Sequence, residues 1–379
     1  MKIGILTYFN DLNFGTNIQA LATKQIVSEC SENADVEIVN ITNFKVKKIP
    51  YISYMTLISL MKDIKRILSY KKFQKDELGI NSYKVEKDRE RFIQFVKDKC
   101  YDKIFIGADT CLEMRGFRNA DHLSPYWLDE NVESEVIIAA ASSRDLEYDD
   151  FTDSQKQELD KMVNKYKYIG VRDDATSALF YSISNTDIDK VKRIPDPTFC
   201  LEIVEDASEK YFQKKRIKEG EKLIAIRHKK GDVWMTDFIE KAHKHGFKIV
   251  SFRPCPKADY VWNDISPLEQ TGIYRYFQAV VTHLFHEAVF CFKNRTAVVL
   301  YPISKELISK QGESKYTSLL KDFNVCDSCY IEDPNIIDGE SLLKKCTGAI
   351  SIFANCRSSI ETILTKNKDT YRQFIKESL

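Results

Sequence analysis

The class of fold is indicated by one stretch of the chain, Ala279-Val280-Val281-Thr282-His283-Leu284-Phe285-His286-Glu287-Ala288-Val289-Phe290. Its apolar start predicts a strand that is buried on both faces, and the residues after it predict a helix. In open parallel sheets, ligands bind in the crevice beyond the carboxyl ends of the strands. The N-terminus of the following helix offers N–H groups and partial positive charge to an anion. We therefore predict that Thr282, His283 and His286 lie at a binding site.

The two histidines have an alternative interpretation as ordinary side chains of the fold. A histidine at a strand-to-helix turn holds phosphate when it is charged, or transfers a proton when its pKa is suitably tuned. The position at the turn favours a functional role for His286 more strongly than for His283.

Length and composition restrict the classes of protein that need to be considered. The 379 residues are enough for two domains, and 43% hydrophobic with 30% charged residues is typical of a globular protein. A formal net charge of +1 argues against a bulk electrostatic interaction with nucleic acid. The chain has no apolar run of the roughly 20 residues that a membrane span needs. It begins with a strand pattern at Lys2–Leu6 rather than a secretory signal, so we expect a cytoplasmic protein.

The ten cysteines do not form a metal-binding pattern. The one close pair is Cys326 with Cys329, and a zinc site of this type would need a second close pair. In the cytoplasm most thiols stay reduced. We therefore expect neither a bound metal nor another cofactor.

Predicted strands and helices alternate along the chain, which indicates an α/β layered fold. A charged stretch at Ser208–Lys222 interrupts the alternation and predicts a linker with a short helix. We place the boundary near residue 215, between an N-terminal α/β domain of residues 1–215 and a C-terminal α/β domain of residues 216–379 that ends in a helix. Two such domains would face each other across a cleft, where small molecules commonly bind.

Residues 45–75 form an unusually basic segment, with nine Lys or Arg and one Asp around the apolar run Tyr51–Met61. Leu57, Leu60, Met61, Ile64, Ile67 and Leu68 recur at helical spacing. One interpretation is a surface helix with a buried apolar stripe. The other is an interfacial helix that contacts anionic lipid or a lipid-linked acceptor at the inner face of the membrane.

Five further segments place polar or charged side chains after predicted strands. They are Asn13-Phe14-Gly15 with Asn17, Gln19 and Ala20, Gly107-Ala108-Asp109, Ala140-Ala141-Ser142, Val171-Arg172-Asp173, and Asp196-Pro197-Thr198. Glycine permits close backbone approach, and Asn and Gln side chains both donate and accept hydrogen bonds. An arginine at a strand end, such as Arg172, is placed to bind a carboxylate or phosphate with two N–H groups. Taken singly, each segment is also explained by helix capping or turn formation.

The order of these segments, followed by Thr282–Glu287, resembles the polysaccharide pyruvyl transferase family over roughly residues 1–300. That family has an early Asn-Tyr-Gly with Gln-Ala, then Gly-Ser-Asp, Ala-Ala-Ser, Val-Arg-Glu/Asp and Asp-Pro-Thr turns, and a late histidine turn. The resemblance implies two Rossmann-like domains in a GT-B-like arrangement. It implies a bacterial transferase of exopolysaccharide biosynthesis, with the acceptor on the N-terminal side and the donor, phosphoenolpyruvate, on the C-terminal side.

The resemblance also implies roles for individual residues. His286 and Arg172 would contact phosphoenolpyruvate, and Asp109 would lie near the acceptor sugar, which is free or lipid-linked. Because ketal formation needs an acid and a base, His286 would protonate the donor or hold its phosphate, and Asp109 would take a hydroxyl proton. The substrate-binding residues would be Asn13, Gly15, Asn17, Gln19, Ser142, Arg227, Thr282, His283 and Glu287.

Three positions depart from the family pattern. Glu287 stands where many members have glycine, Leu284 where some have arginine, and Ala108 where serine is usual. One phosphate-binding cation would then be missing unless His283 or Arg227 supplies it. Two alternatives to pyruvyl transfer follow. One is a glycosyltransferase that uses a nucleotide sugar, with contacts around Arg227-His228-Lys229-Lys230, and the other is a catalytically altered member of the family.

Overall fold

The computed structural model describes residues 1–44, 57–144, 146–229, 232, 234–302, 315–333 and 337–379, without the side chains of residues 58, 59, 326 and 327. Part of the basic segment (residues 45–56), Lys230 and the side chain of Cys326 therefore lie outside the described residues. The chain divides into two compact units. The first comprises Met1–Lys47, Gln74–Leu201 and Lys366–Leu379, and the second comprises Lys48–Phe73 and Glu202–Thr365.

The strands of the described residues form parallel ladders. They are β1 (Lys2–Leu6), β2 (Asp35–Ile38), β3 (Ile41–Thr42), β4 (Lys84–Val85), β5 (Lys103–Ile106), β6 (Glu135–Ala141), β7 (Tyr166–Val171), β8 (Val191–Arg193), β9 (Lys222–Ile226), β10 (Phe247–Ser251), β11 (Tyr260–Val261), β12 (Ala279–Thr282) and β13 (Ala297–Leu300). The first unit has a sheet of order β2-β1-β5-β6-β7-β8, and the second has a sheet of order β11-β10-β9-β12-β13. Strands β3 and β4 form a separate pair.

The α-helices of the described residues lie between these strands in the sequence, except for the last four, which follow β13. They are α1 (Phe14–Cys30), α2 (Leu57–Asp76), α3 (Arg89–Lys97), α4 (Asp153–Met162), α5 (Asp174–Ser182), α6 (Glu205–Lys214), α7 (Trp234–Lys244), α8 (Pro267–Ile273), α9 (Phe285–Lys293), α10 (Lys315–Asp322), α11 (Cys326–Cys329), α12 (Gly339–Asn355) and α13 (Arg357–Ser378). No helix of the described residues is both long enough and apolar enough to cross a bilayer.

Local sequence explains where several elements begin and why the central strands are apolar throughout. Every residue of β12 and β13 is buried, as expected for parallel strands covered by helices on both faces. Helix α4 begins with a capping box, in which Thr152 and Gln155 satisfy each other's backbone N–H groups. Alternating strands and helices with all-parallel ladders confirm the predicted α/β fold.

The structure differs from the sequence prediction at the charged stretch Ser208–Lys222. Much of this stretch belongs to helix α6, which packs against α8 in the second unit rather than forming a linker. Tyr211 is buried there and donates a hydrogen bond to Asp264 at 2.8 Å. Helix α6 therefore belongs to the second unit, and the chain passes from the first unit to the second after Leu201, before the boundary placed near residue 215.

The C-terminal helix also differs from the predicted division. Residues from Lys366 onward, which include the whole second half of α13, belong to the first unit. Tyr371, Phe374 and Ile375 are buried. A Cβ on Gly170 in β7 would lie 2.6 Å from the ring of Phe374, so glycine is required where the helix meets the strand. The buried apolar face of α13 thus returns the end of the chain to the first sheet.

Candidate functional site

The carboxyl edge of the first sheet gathers three of the predicted site residues. Strands β5, β6 and β7 are neighbours in the sheet, and their carboxyl ends lead to Asp109, Ser142 and Arg172. The backbone of Asp109 bridges to that of Ala141, and the N–H of Ser142 donates to the carbonyl of Asp109 at 2.9 Å. The structure therefore brings these residues together within the first unit.

Asp109 sits on a backbone turn that depends on the preceding glycine. Its own φ is +69°, in the left-handed region that aspartate tolerates better than most residues. Gly107 has φ +124°, and a Cβ there would lie 2.3 Å from the carbonyl oxygen of Ala139. Oδ1 of Asp109 accepts the N–H of Thr110 at 2.9 Å, and Oδ2 lies 3.4 Å from the hydroxyl of Thr16. The half-buried carboxylate is thus held at the edge of the sheet.

Arg172 is buried at the end of β7 and pairs with Asp196. Nη1 donates to Oδ2 of Asp196 at 2.9 Å, and the side chain of Asp196 is fully buried. Burial alone would lower the pKa of Arg172, but the carboxylates of Asp196, Asp109 and Asp173 raise it above its ordinary value. The guanidinium therefore stays charged, with three acidic side chains within electrostatic reach.

The early polar motif anchors helix α1. Asn13 caps the helix by accepting the N–H of Gly15 at 2.9 Å. Nδ2 of Asn17 donates to the carbonyl of Asp11 at 2.6 Å. Nε2 of Gln19 donates to the carbonyl of Tyr8 at 2.8 Å, just beyond β1. In this structure the four predicted binding residues Asn13, Gly15, Asn17 and Gln19 make contacts that fix the start of α1 against the strand ends.

The carboxyl edge of the second sheet carries a second set of predicted residues. Strands β9 and β12 are neighbours, and they lead to Arg227 and to Thr282 and His283. Helix α9, which follows β12, contributes His286 and Glu287 in its first turn. The structure brings these five residues together within the second unit.

Glu287 is fully buried and forms an ion pair with Arg227. Nε of Arg227 donates to Oε1 at 2.9 Å, and Nη2 donates to the same oxygen. Gln270 donates to Oε1 at 2.8 Å, and the hydroxyl of Thr282 donates to Oε2 at 2.5 Å. The guanidinium also lies 4.8 Å from the ring centre of Phe252. The charges of Arg227 and Glu287 therefore offset each other inside the second unit.

His283 is held in a neutral form. Burial, together with the nearby positive charges of Arg253, Arg227 and Lys229, lowers its pKa to about 3. Its Nδ1 lies 3.0 Å from the carbonyl oxygen of Arg227. Because a carbonyl only accepts, we assign the hydrogen to Nδ1, which leaves the lone pair on Nε2. A neutral imidazole of this kind supplies no positive charge to a phosphate.

His286 is the second residue of α9 and is 8% exposed. Its ring packs edge-to-face on that of Phe285, with 5.3 Å between the centroids. Leu284, the residue before the first residue of α9, caps the helix without a side-chain hydrogen bond. Helix geometry thus places the imidazole beside the positive end of the α9 dipole.

At the carboxyl edge of the second sheet, the sequence prediction missed the cation Arg253 and left the role of Lys229 undecided. Arg253 follows β10 by two residues, and its Nη1 donates to the carbonyl of His228 at 3.2 Å. Lys229 and Arg253 both act electrostatically on His283. The rule that selected Arg172, an arginine just after a buried strand, would also have found Arg253.

The sequence of this chain matches the model of one protein family. The family model described as polysaccharide pyruvyl transferase matches residues 13–304. No curated protein matches the chain.

Solved structures with this fold include sugar-nucleotide enzymes. UDP-GlcNAc 2-epimerase from Neisseria meningitidis, bound to UDP-GlcNAc, is 10% identical with a TM-score of 0.52, over 100% of this chain and 99% of that chain. The Methanocaldococcus jannaschii UDP-GlcNAc 2-epimerase, in complex with UDP-GlcNAc and UDP, is 10% identical with a TM-score of 0.50, over 94% and 93%. The glycotransferase of kitacinnamycin is 10% identical with a TM-score of 0.51, over 100% and 99%. These similarities show a GT-B-like fold.

Proposed function

Because this chain belongs to the polysaccharide pyruvyl transferase family, we propose that it transfers a pyruvyl group from phosphoenolpyruvate to two hydroxyls of a sugar. The acceptor would be a precursor of a cell-surface glycan, free or lipid-linked. The product would be a cyclic ketal, with phosphate released. We expect the reaction to need no metal and no cofactor besides the donor, since the enol phosphate already carries the reactive carbon and its leaving group.

The proposed reaction balances without an oxidant or reductant. A proton adds to C3 of the donor, which becomes a methyl group and leaves C2 electrophilic. One sugar hydroxyl bonds to C2 and loses its proton, and the C2–O bond to phosphate breaks. The second hydroxyl then bonds to C2 and loses its proton. Of the two hydroxyl protons, one balances the proton gained by C3 and the other leaves with phosphate.

The observation that carries this proposal is that Asp109 and the buried Arg172 meet the same end of β6: the N–H of Arg172 donates to the carbonyl of Ala141 at 3.3 Å, and the backbone of Asp109 bridges to Ala141. Phosphoenolpyruvate has a carboxylate and a phosphate, which a planar guanidinium binds with two parallel N–H groups. A carboxylate near the same edge is suited to accept the proton of an attacking hydroxyl. We propose that Arg172 binds the donor and that Asp109 acts on the acceptor.

His286 is proposed to donate the proton to C3 or to hold the phosphate. Its place in the first turn of α9 supports the second role, because a helix N-terminus favours an anion. Arg227 is already paired with Glu287, and His283 is neutral. Lys229 and Arg253 are therefore the side chains that we propose to supply the positive charge that Leu284 lacks.

A nucleotide sugar is a second candidate donor. The same cations at the second edge, Lys229 and Arg253, suit a diphosphate as well as a phosphate. Two of the structural neighbours were solved with UDP-GlcNAc bound. The two candidate functions predict opposite results in a binding experiment with phosphoenolpyruvate and UDP.

Thermal unfolding and calorimetric titration with phosphoenolpyruvate and with UDP test the proposal. We expect phosphoenolpyruvate to raise the Tm and UDP to have no effect, because a ligand that binds only the folded state stabilises it. Arg172→Lys keeps the charge but not the two parallel N–H groups, so we expect affinity for phosphoenolpyruvate to fall about tenfold or more. Arg144→Lys is the control, since Arg144 follows β6 but is a half-exposed partner of Glu113.

His286→Asn and the double variant Arg172→Lys/His286→Asn then test whether both residues act on one donor. Non-additive losses of affinity for phosphoenolpyruvate are expected from residues that share a ligand. Stabilisation by UDP alone would replace pyruvyl transfer with nucleotide-sugar transfer. Stabilisation by neither ligand would indicate a family member that has lost its activity.

A further inference from the structure

Helix α2 exposes a row of large apolar side chains. Leu57, Met61, Ile64 and Leu68 are 74%, 63%, 47% and 59% exposed. At about 100° per residue they fall within an arc of about 60° on one side of the helix. We call these four residues the α2 stripe. The other exposed large hydrophobic side chains of the described residues, Met1, Val85, Tyr181 and Ile188, lie singly on separate elements.

Residues of α2 outside the α2 stripe attach the helix to the second unit. Tyr70 and Phe73 are buried. Lys65 donates to Oδ2 of Asp264 at 2.8 Å, and Lys62 donates to the carbonyl of Val261 at 3.1 Å. These contacts fix the rotation of the helix about its axis, so the α2 stripe faces away from the unit.

The same exposed side becomes basic in the last turns of the helix. Lys71, Lys72 and Lys75 are exposed and fall within about 60° of the centre of the α2 stripe. Apolar side chains followed by lysines on one face suit a surface with both hydrocarbon and negative charge.

We propose that α2 docks the protein on an anionic lipid bilayer. The α2 stripe inserts at the level of the acyl chains, and the three lysines contact lipid phosphates. Singly exposed apolar residues need no explanation, but four in one row on an anchored helix mark an interaction surface. The lysines select a bilayer over a second protein, because an apolar protein interface is depleted of lysine at its core.

Co-sedimentation with vesicles tests this proposal on the full chain, without donor or acceptor, so its outcome is independent of the reaction. We expect binding to phosphatidylcholine vesicles that contain 25% phosphatidylglycerol, and little binding to pure phosphatidylcholine. Met61→Ser/Leu68→Ser is expected to weaken binding about tenfold or more, since it removes apolar area that inserts. Lys71→Gln/Lys75→Gln is expected to weaken it by a similar factor, as is 0.5 M salt.

The matched control is Tyr181→Ser/Ile188→Ser, which removes two exposed apolar side chains from the first unit and is expected to bind like the parent. Equal binding by the parent and the Met61→Ser/Leu68→Ser variant would overturn the proposal. So would a dimer of the parent that this variant converts to a monomer.

Discussion

Arg172 donates a hydrogen bond from Nη1 to Oδ2 of Asp196 across 2.9 Å, and both side chains are buried. Asp196 comes from the turn after β8, the strand next to β7 in the sheet. The other oxygen, Oδ1, accepts the N–H of Thr198 at 3.0 Å. The Asp-Pro-Thr turn therefore fixes one edge of the guanidinium that we propose to bind the donor.

Asp196→Asn is expected to destabilise the first unit by about 3 kcal/mol, because breaking a buried ion pair leaves a charge without its partner. Urea unfolding, followed by hydrogen exchange of the β7 and β8 backbone, measures the change. The binding of phosphoenolpyruvate is expected to weaken in parallel, since the guanidinium loses its positioning partner.

Asp187→Asn is the matched control for this substitution. Asp187 is an exposed partner of Lys190 in the same unit, and asparagine serves as well at its cap position. Its cost is expected to stay below about 0.5 kcal/mol. Equal effects of the two substitutions would refute a special role for Asp196.

The buried ion pair of Arg227 and Glu287 gives a second prediction: removing both charges costs less stability than removing one. Glu287→Gln is expected to destabilise the second unit by about 3 kcal/mol, because Arg227 then stays charged, buried and without its carboxylate. Arg227→Met/Glu287→Gln removes both charges, so much of the lost stability should return. Urea unfolding of the parent, the single variants Glu287→Gln and Arg227→Met, and the double variant measures this coupling.

The exposed pair of Arg275 and Glu205, joined at 3.0 Å, supplies the control. Arg275→Met/Glu205→Gln should leave stability nearly unchanged, because exposed ion pairs contribute little. If the double variant Arg227→Met/Glu287→Gln folds but no longer binds phosphoenolpyruvate, Arg227 holds the donor after all.

The strands were predictable from sequence because a wholly apolar run between helical patterns has few alternatives in an α/β protein. The apolar runs Ala279–Thr282 and Ala297–Leu300, for example, form strands β12 and β13. The polar residues just after strands were also found, since parallel strands bring their carboxyl ends to one edge.

The partners of those residues were not predictable in the same way. Asp196 reaches Arg172 across 24 residues, through a strand order that periodicity does not specify. Glu287 was predicted to bind substrate, and its partner Arg227 lies 60 residues away in the sequence. Lys65 and Asp264 are 199 residues apart, so local sequence patterns could not predict that α2 packs in the second unit.

The neutral state of His283 predicts a particular dependence of stability on pH. Its pKa is lowered to about 3 in the folded protein, mainly by burial, whereas an unfolded histidine titrates near pH 6.5. Between these values the unfolded chain binds one more proton than the folded one, so this contribution to stability is complete above pH 6.5 and is lost as the pH falls toward 3. From pH 7 to pH 5.5 we expect His283 to cost about 1 kcal/mol of unfolding free energy.

In His283→Asn the amide still donates to the carbonyl of Arg227 but does not titrate, so urea unfolding should show a correspondingly weaker loss over the same range. If parent and variant lose the same stability between pH 7 and pH 5.5, the imidazole is not held neutral by its surroundings, and it becomes available as a cation for the phosphate.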